Sequence, residues 1–408
     1  MDLLGLLKIG SMGAGKKCRI SRSMIESIDR TRRVHARRRI AALGRVLACV
    51  SSLTAALAAA PSRDARAATG APPVAPTPPC ATADGLEPIC GLQAPEDLTV
   101  FPEGGRLLIV QMRGPTHLPV SNLAELDLAT RQLRVLPVVA AGRAEGADAS
   151  CTAPDPNPDL HGFDLARDAS GELQLLIVNH GSRQSIEFFR VVGSAADRSL
   201  EWRGCIATPA DVRLNDVAAR PGGGLIATVM GEARYFDSTD GFNFLVSGAD
   251  TGYLLAWSPG AGFRKLSGTE AAFPNGIAID AAGRYAWFAA WTGRKILKYD
   301  LDSAHIVGAV AVDFMPDNLS WAPDGGVLTA GIPDMTAVEH CLDGRTAFCT
   351  SPFRAVRIDP VDLSVRTLVE GPIGVLGGAS VAVQDGEWVY VGAWAGDRIV
   401  RRRLIPQQ

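Results

Sequence analysis

The chain has 408 residues, 47% of them hydrophobic, and contains 43 glycines, so it holds enough apolar sequence to bury a large core. Its formal net charge is −2, but residues 1–67 hold 14 Lys or Arg against four acids, and the remainder therefore carries about −12. No basic patch survives in this acidic remainder, which argues against nucleic acid as a partner.

Residues 1–67 have the order of segments found in a secretory signal. The basic run RTRRVHARRR precedes the apolar stretch IAALGRVLACVSSLTAALAAA, and a small-residue cleavage site follows at Ala65-Arg66-Ala67. Arg45 interrupts the apolar stretch, which favours a cleaved signal over a permanent membrane anchor. We therefore expect an exported protein, periplasmic or extracellular, with no stable membrane span in the mature chain.

Residues 68–92 are predicted to form a Pro-rich linker, GAPPVAPTPP, followed by an N-terminal latch. The six cysteines beyond the linker show no C-x-x-C spacing, and an even number in an exported chain favours disulfides over zinc. We expect the pairs Cys80–Cys90, Cys341–Cys349 and Cys151–Cys205. This pairing is one of the 15 that six cysteines allow.

Between residues 93 and 408, a unit of two strands joined by a Gly-centred turn recurs six times. The copies are LTVFPEGGRLLIVQM, FDLARDASGELQLLIVNH, VAARPGGGLIATVMG, IAIDAAGRYAWFAAW, LSWAPDGGVLTAGI and VAVQDGEWVYVGAW. A second hairpin follows most of them, and two hairpins make one four-stranded blade. The pattern predicts an all-β, six-bladed β-propeller around a central channel. A β-sandwich is the alternative, although sandwiches lack repeats this long.

The last repeat ends one strand short, because the chain stops soon after DRIVRRRLI. We expect a strand from the N-terminal side, after residue 68, to complete this blade and close the ring. Closure leaves no long exposed sheet edges.

Polar residues open the first strand of five repeats. They are Glu96-Asp97, His161-Gly162, Asn215-Asp216, Asn275-Gly276 and Asp317-Asn318. Innermost strands of a propeller converge on the channel, so these groups can share one ligand. A set of carboxylate and amide oxygens without thiolates suits Ca²⁺. Turn chemistry explains any single pair equally well. The sixth copy, GASVA around Ser380, is interpreted only as channel wall.

Together with two further segments, these motifs resemble the serum paraoxonase (arylesterase) family. The added segments are Pro158-Asp159-Leu160-His161-Gly162 and Val178-Asn179-His180. The chain also resembles the broader group of senescence marker protein/gluconolactonase and strictosidine synthase propellers. The resemblance extends from about residue 95 to 400.

Carried over to this sequence, the resemblance implies two Ca²⁺ ions and a histidine pair. The catalytic ion would be held by Glu96, Asn215, Asn275, Asp317 and Asn318. The structural ion would be held by Asp97, Asp216 and the backbone carbonyl of Phe163. His161 and His180 would activate water, with Asp317 as a competing base; an ordinary buried histidine is the alternative for His161. Zn²⁺ or Mn²⁺ are alternatives at the catalytic site.

The implied activity is calcium-dependent hydrolysis of a small-molecule lactone or carboxylic (aryl) ester. Two alternatives stay open: a non-catalytic, metal-containing propeller for ligand or protein binding, and a strictosidine synthase-like enzyme. The sequence departs from the paraoxonase pattern at GIPDM, where Pro333 or Asp334 stands near the place of a further histidine. Residues 231–252 form a loop that we expect to cover the channel mouth.

Overall fold

The computed structural model describes residues 78–113, 121–168, 170–342 and 349–404, apart from the side chains of residues 339–342. The predicted signal and the beginning of the linker lie outside these residues, so the predicted boundaries at 67 and 92 stay predictions. Within the described part of the chain, no helix is long and apolar enough to cross a membrane.

The described strands form six sheets, and each sheet corresponds to one predicted repeat. Blade 1 contains β2 (Pro95–Val100), β3 (Arg106–Gln111), β4 (Asn122–Asp127) and β5 (Leu133–Val135). Blade 2 contains β7 (Leu160–Arg167), β8 (Leu173–Asn179), β9 (Ser185–Val192) and β10 (Ser199–Ala207). Blade 3 contains β11 (Val212–Ala219), β12 (Leu225–Glu232), β13 (Tyr253–Ser258) and β14 (Gly262–Lys265).

Blade 4 contains β15 (Pro274–Ile279), β16 (Tyr285–Ala290), β17 (Lys295–Asp300) and β18 (His305–Ala311). Blade 5 contains β19 (Met315–Trp321), β20 (Val327–Ile332), β21 (Phe353–Ile358) and β22 (Val365–Gly371). Blade 6 contains β23 (Ala379–Asp385), β24 (Trp388–Ala393), β25 (Arg398–Arg403) and β1 (Glu87–Cys90). The predicted six-bladed propeller is confirmed.

Few elements interrupt this pattern. A short strand, β6 (Val138–Ala140), pairs in parallel with β10 and gives blade 2 a fifth strand. A 3-10 helix (Ala233–Phe236) and helix α1 (Thr239–Leu245) lie between β12 and β13, and helix α2 (Met335–Leu342) follows β20. The six turn glycines that the repeats share all have positive φ, which favours glycine. They are Gly104, Gly171, Gly223, Gly283, Gly325 and Gly386.

The closing strand lies where the sequence predicts it. β1 pairs antiparallel with β25, so the N-terminal strand completes the last blade. Across this pairing, Glu87 and Arg401 form an ion pair with an N–O distance of 2.9 Å. The Arg398 guanidinium donates to the backbone carbonyls of Pro78 and Pro79. The ring is thus closed by the backbone pairing of β1 with β25 and by the side chains of Arg401 and Arg398.

Two of the three expected disulfides are present, Cys80–Cys90 and Cys151–Cys205. Cys349 is also disulfide-bonded. The side chain of Cys341 lies outside the described residues, so its predicted bond to Cys349 stays a prediction. The first disulfide encloses the segment that leads into the closing strand.

Alternation along each strand sends side chains to both neighbouring blades. In β3, Leu107 and Ile109 pack towards blade 6, whereas Leu108 and Val110 pack towards blade 2. One apolar cluster fills each of the six junctions between blades. The core is therefore a ring of layers around the channel, and burying both faces of every blade explains why these strands are nearly continuous apolar runs.

Each junction is also bridged by a hydrogen bond between a side chain of one inner strand and the backbone of the next. The carboxylates of Asp97, Asp164 and Asp216 accept from the amides of Phe163, Ala219 and Ile277. The Trp321 indole and the Ser320 and Ser380 hydroxyls donate to the carbonyls of Ile279, Ala382 and Glu96. These six bonds fix the inner strands relative to one another.

Candidate metal centre

Every innermost strand contains a bulge at the position that the sequence analysis singled out. In β15, Pro274 pairs with Ala290, but the next pair is Ile277 with Phe288, so Asn275 and Gly276 face one residue. The same shift occurs in the other five inner strands. A bulge interrupts the ladder and redirects a side chain. In every repeat, the same type of bulge thus redirects the variable polar side chain.

The sixth bulge contains Ser380, between the pairs Ala379–Ala393 and Val381–Gly392. The sequence predicts only channel wall here, and the structure adds one specific contact from this strand. Ser380 is fully buried, and its Oγ donates to the carbonyl of Glu96 at 2.5 Å. The sequence does not predict this contact, because a single serine in an apolar strand gives no metal-ligand signal. Only its position in the repeat distinguishes Ser380 from its neighbours.

The five residues predicted to hold the catalytic ion are all buried, with at most 6% exposure. Asn318 Nδ2 donates to Glu96 Oε1 at 2.7 Å and to the Glu96 carbonyl at 3.3 Å. The Asn275 side chain is hydrogen-bonded to Asp317. Asn215 Nδ2 lies 3.9 Å from the Met230 sulfur. These contacts join blade 1 to blade 5 and blade 4 to blade 5.

Four oxygens of this set have no hydrogen-bond partner among the described residues, although they are buried. They are Glu96 Oε2, Asn215 Oδ1, Asn275 Oδ1 and Asn318 Oδ1. Burying a polar atom without a partner is costly, and such atoms are rare in folded proteins. Four acceptors in four different blades share this state, and one cation bound among them would satisfy them. The residues present therefore fit a hard cation.

The donor set also indicates which cation. Within the described part of the chain, no three His, Cys, Asp or Glu side chains converge as a metal site. The candidate set instead combines two carboxylates with three amides, and oxygen donors of this kind suit Ca²⁺ better than Zn²⁺.

Burial without a cation makes the acids of this centre hard to ionise. Desolvation raises the pKa of Glu96 to about 7, opposed by the Asn318 hydrogen bond. Desolvation and then the Glu96 charge raise the pKa of Asp317 well above its usual range. The His161 ring nitrogen lies 3.8 Å from Glu96 Oε1. Burial lowers the pKa of His161 to about 4, so this imidazole is neutral and does not offset the acids.

The second predicted set, Asp97, Asp216 and the Phe163 carbonyl, has a different character. Asp97 accepts from the amides of Leu98 and Phe163. Asp216 accepts in the same way from the next residue on its own strand and from Ile277 of blade 4. Desolvation raises the pKa of both acids well above the usual range. These carboxylates already link blades, and the structural Ca²⁺ at this place stays a prediction.

The two predicted catalytic histidines lie side by side. His161 is on β7 and His180 directly follows β8, and their rings meet edge to face with centroids 5.5 Å apart. The His161 side chain is largely buried and retains 19% exposure. The structure therefore brings together the pair that the sequence predicts.

Gln184 orients the second histidine, a role that the sequence analysis missed. His180 Nδ1 lies 2.7 Å from Gln184 Oε1. An amide oxygen only accepts, so this contact places the imidazole proton on Nδ1 and leaves Nε2 as an acceptor. That Nε2 is buried and has no hydrogen-bond partner among the described residues. Gln184 follows His180 by four residues, and the two residues flank the turn between β8 and β9. A prediction of this hairpin from the sequence would have placed the two side chains close together.

An apolar cluster lies at the ends of strands in blades 4 and 5. The rings of Phe273 and Trp291 are 5.0 Å apart, and Val246 from the segment after α1 packs against the same cluster. Ser238 caps α1 by accepting from the amide of Gly241. The predicted loop 231–252 is therefore an ordered segment that contains the 3-10 helix and α1 and contributes to this cluster.

Comparison with protein families gives one match. Residues 171–346 are similar to the SMP-30/gluconolactonase/LRE-like region. This segment extends from the first hairpin of blade 2 through blades 3 and 4 into blade 5, and it includes Asn215, Asn275, Asp317 and Asn318. No curated protein matches the sequence. The match is to the broader group that the sequence resembles, and the narrower paraoxonase resemblance stays a prediction.

Several solved structures are similar to this chain at low identity. Regucalcin, a calcium-binding protein from Agrobacterium tumefaciens, has 13% identity and a TM-score of 0.44, covering 78% of this chain and 94% of its own. A gluconolactonase from Xanthomonas campestris has 14% identity and a TM-score of 0.46, covering 82% and 99%. A virginiamycin B lyase from Staphylococcus aureus has 12% identity and a TM-score of 0.46, covering 78% and 99%. The fold assignment stands on the strand pairing itself.

Proposed function

We propose that the protein is a hydrolase of lactones or carboxylic esters that requires a divalent cation, Ca²⁺ being the ion that its ligands fit best. The observation that carries this proposal is the group of four buried, unsatisfied oxygens on Glu96, Asn215, Asn275 and Asn318. Asp317 completes the proposed ligand set. The similarity of residues 171–346 to a gluconolactonase-containing family supports a lactone as substrate.

The bound cation would polarise the substrate carbonyl and stabilise the negative charge that develops on its oxygen. The chain itself would supply the base. Burial lowers the pKa of His161 to about 4, so its imidazole is neutral and can accept a proton, and a hydrogen-bond partner that raises this pKa makes it a stronger base for water. His180 would assist, since its free Nε2 can accept a hydrogen bond from His161 and thereby increase the basicity of the other His161 nitrogen. Gln184 would hold His180 in the required tautomer.

Asp317 is the competing base. Its carboxylate lies in the same centre and has a raised pKa, as a general base near neutral pH requires. Under this proposal, however, Asp317 binds the cation, and that role takes precedence over a role as base. His161→Gln and Asp317→Asn separate the two roles when Ca²⁺ affinity and turnover are both measured. We expect His161→Gln to lose turnover while it keeps Ca²⁺, and Asp317→Asn to lose both.

The proposed location is outside the cytoplasm. The signal-like N-terminal segment predicts export, and two disulfides in the described residues accord with an oxidising compartment. Amino-terminal sequencing of the protein secreted by an expressing cell tests this point. We expect cleavage after residue 67 and a mature chain beginning in the Pro-rich linker.

The activity is tested with a panel of γ- and δ-lactones and aryl esters. The protein is treated with EDTA, dialysed, and assayed with no metal or with added Ca²⁺, Mn²⁺ or Zn²⁺. We expect turnover of at least one lactone that EDTA abolishes and Ca²⁺ restores. His305→Gln is the matched control for His161→Gln, because His305 is exposed and lies on the outermost strand of blade 4. Bound cation without turnover of any member of the panel would favour the binding propeller instead.

A further inference from the structure

We infer that Ser380 is a positioning residue: its hydroxyl holds Glu96 in the orientation in which the carboxylate can bind the cation. The inference rests on the proposed function, since it concerns the same metal centre. Under this inference, blade 6 contributes a residue to the metal centre, whereas the sequence analysis assigns residues from only five blades to it.

The geometry of the contact supports this role. Ser380 lies in the bulge of β23, and Glu96 lies in the bulge of β2, where it has no partner in the pairing with β3. The Ser380 Oγ donates to the Glu96 carbonyl at 2.5 Å, and both residues are buried. A carbonyl released from its ladder needs a donor elsewhere. Ser380 supplies the shorter of the two contacts to this carbonyl, and Asn318 Nδ2 supplies the other at 3.3 Å.

Glu96 is held at two points, which defines where its carboxylate points. Blade 6 holds the backbone through Ser380, and blade 5 holds Oε1 through Asn318 Nδ2 at 2.7 Å. The second carboxylate oxygen, Oε2, is left buried and without a partner in the described structure. The two hydrogen bonds together fix the orientation of Glu96 and leave one carboxylate oxygen available to a cation.

The contact also lies where the ring joins its first and last blades. On the outer side of blade 6, the β1–β25 ladder makes the closure. Among the inner strands, the bond from Ser380 to Glu96 links β23 to β2. Removal of this hydroxyl therefore leaves Asn318 of blade 5 to hold both the carbonyl and the carboxylate of Glu96, and the blade 1 ligand can shift relative to the ligands of the other blades.

The neighbouring junction provides a matched control. The Ser320 Oγ donates to the Ala382 carbonyl at 2.6 Å, so it links the inner strands of blades 5 and 6 with the same kind of bond. Ser320 has no hydrogen bond to Glu96. Ser320→Ala and Ser380→Ala each remove one hydroxyl and one bond between blades, and only Ser380→Ala removes a contact to the proposed ligand.

The test is calorimetric titration of Ca²⁺ into metal-free full-length protein. We expect Ser380→Ala to weaken Ca²⁺ binding by about 10- to 100-fold, as loss of a group that orients a ligand does. Ser380→Thr, which keeps the hydroxyl, should restore most of the affinity. Ser320→Ala should bind Ca²⁺ as the unmodified protein does, while both alanine variants lower the melting temperature to a similar degree.

Unchanged Ca²⁺ affinity in Ser380→Ala, or an equal loss in Ser320→Ala, would overturn the inference and leave the proposed function intact. Absence of Ca²⁺ binding by the unmodified protein would overturn both. Should Ser380→Ala fail to fold, Ser380→Cys takes its place, because a thiol fills the site but donates only weakly; undiminished affinity in that variant would again contradict the positioning role.

Discussion

Asn318 and Glu96 are 222 residues apart in sequence, yet Asn318 Nδ2 donates to Glu96 Oε1 at 2.7 Å inside the channel. The bond brings blade 5 against blade 1. It uses one oxygen of the carboxylate, while Glu96 Oε2 and Asn318 Oδ1 are both left without a partner among the described residues. This pair defines the centre on which the proposed function depends.

Asn318→Asp tests the relationship between the two residues directly. The substitution places a second carboxylate against Glu96, so the metal-free variant should be less stable because two buried carboxylates repel one another. Added Ca²⁺ should stabilise this variant by more degrees than it stabilises the unmodified protein. Melting temperatures with EDTA and with Ca²⁺ measure both effects, and Asn157→Asp, at an exposed position, is the control. An equal Ca²⁺ effect on all three proteins would refute the prediction.

The Ca²⁺ affinity should depend on pH. Burial raises the pKa of Glu96 to about 7 in the metal-free protein, so below this pH a proton must leave before the cation binds. We expect roughly a tenfold loss of affinity between pH 8 and pH 6 from this group alone. Titrations at several pH values in buffers that do not bind Ca²⁺ measure the slope. A constant affinity over this range would show that Glu96 is not a ligand.

Gln184→Glu should move the pH profile of hydrolysis. A carboxylate in place of the amide would favour protonated His180 and raise its pKa from the value of about 4 that burial imposes. The acid limb of kcat/KM should therefore shift to higher pH. Gln184→Met, which removes the acceptor without adding a charge, should lower kcat/KM without that upward shift. Identical profiles for both variants would argue against a catalytic part for His180.

Asp164→Asn should stabilise the protein at high pH. Burial raises the pKa of Asp164 from 3.8 to about 6, so the folded state binds this proton more tightly than the unfolded state does. The group therefore supports folding below about pH 4, and its contribution falls as the pH rises to about 6. Asparagine cannot ionise, and its amide oxygen can still accept from the Ala219 amide. Urea unfolding should show a gain for the variant at pH 8 that vanishes near pH 4.

Asp168→Asn provides a contrast of opposite sign. Hydrogen bonds, first of all from the Ser170 side chain, lower the pKa of this partly exposed carboxyl. Its contribution to stability is therefore present at neutral pH and is lost as the pH falls through the lowered value. The variant should be less stable than the unmodified protein at pH 8. A gain at pH 8 similar to that of Asp164→Asn would contradict the assignment of the two shifts.

The sequence predicts the propeller because the same hairpin pattern occurs six times. Each copy has the same turn glycine and the same pair of strands, and the missing strand of blade 6 follows from counting, as the β1–β25 ladder confirms. The repeat also predicts that Glu96, Asn215, Asn275 and Asp317 share one level of the channel, and all four are buried at the bulges of the inner strands.

Other features depend on geometry that a linear pattern does not contain. Ser380 acts through a backbone carbonyl of another blade, so its residue type alone carries no signal. Asp97 and Asp216 are of a residue type that binds metals, and their sequence positions alone do not reveal that backbone amides of neighbouring blades donate to both carboxylates. The parallel strand β6 arises from an apolar tripeptide, VVA, that is too short for periodicity to identify.

The most direct test of the account is a crystal structure of the protein grown with Ca²⁺. We expect one ion in the channel, within about 2.3–2.6 Å of Glu96 Oε2 and of the amide oxygens of Asn215, Asn275 and Asn318. A channel in which water molecules satisfy these four oxygens at saturating Ca²⁺ would contradict it.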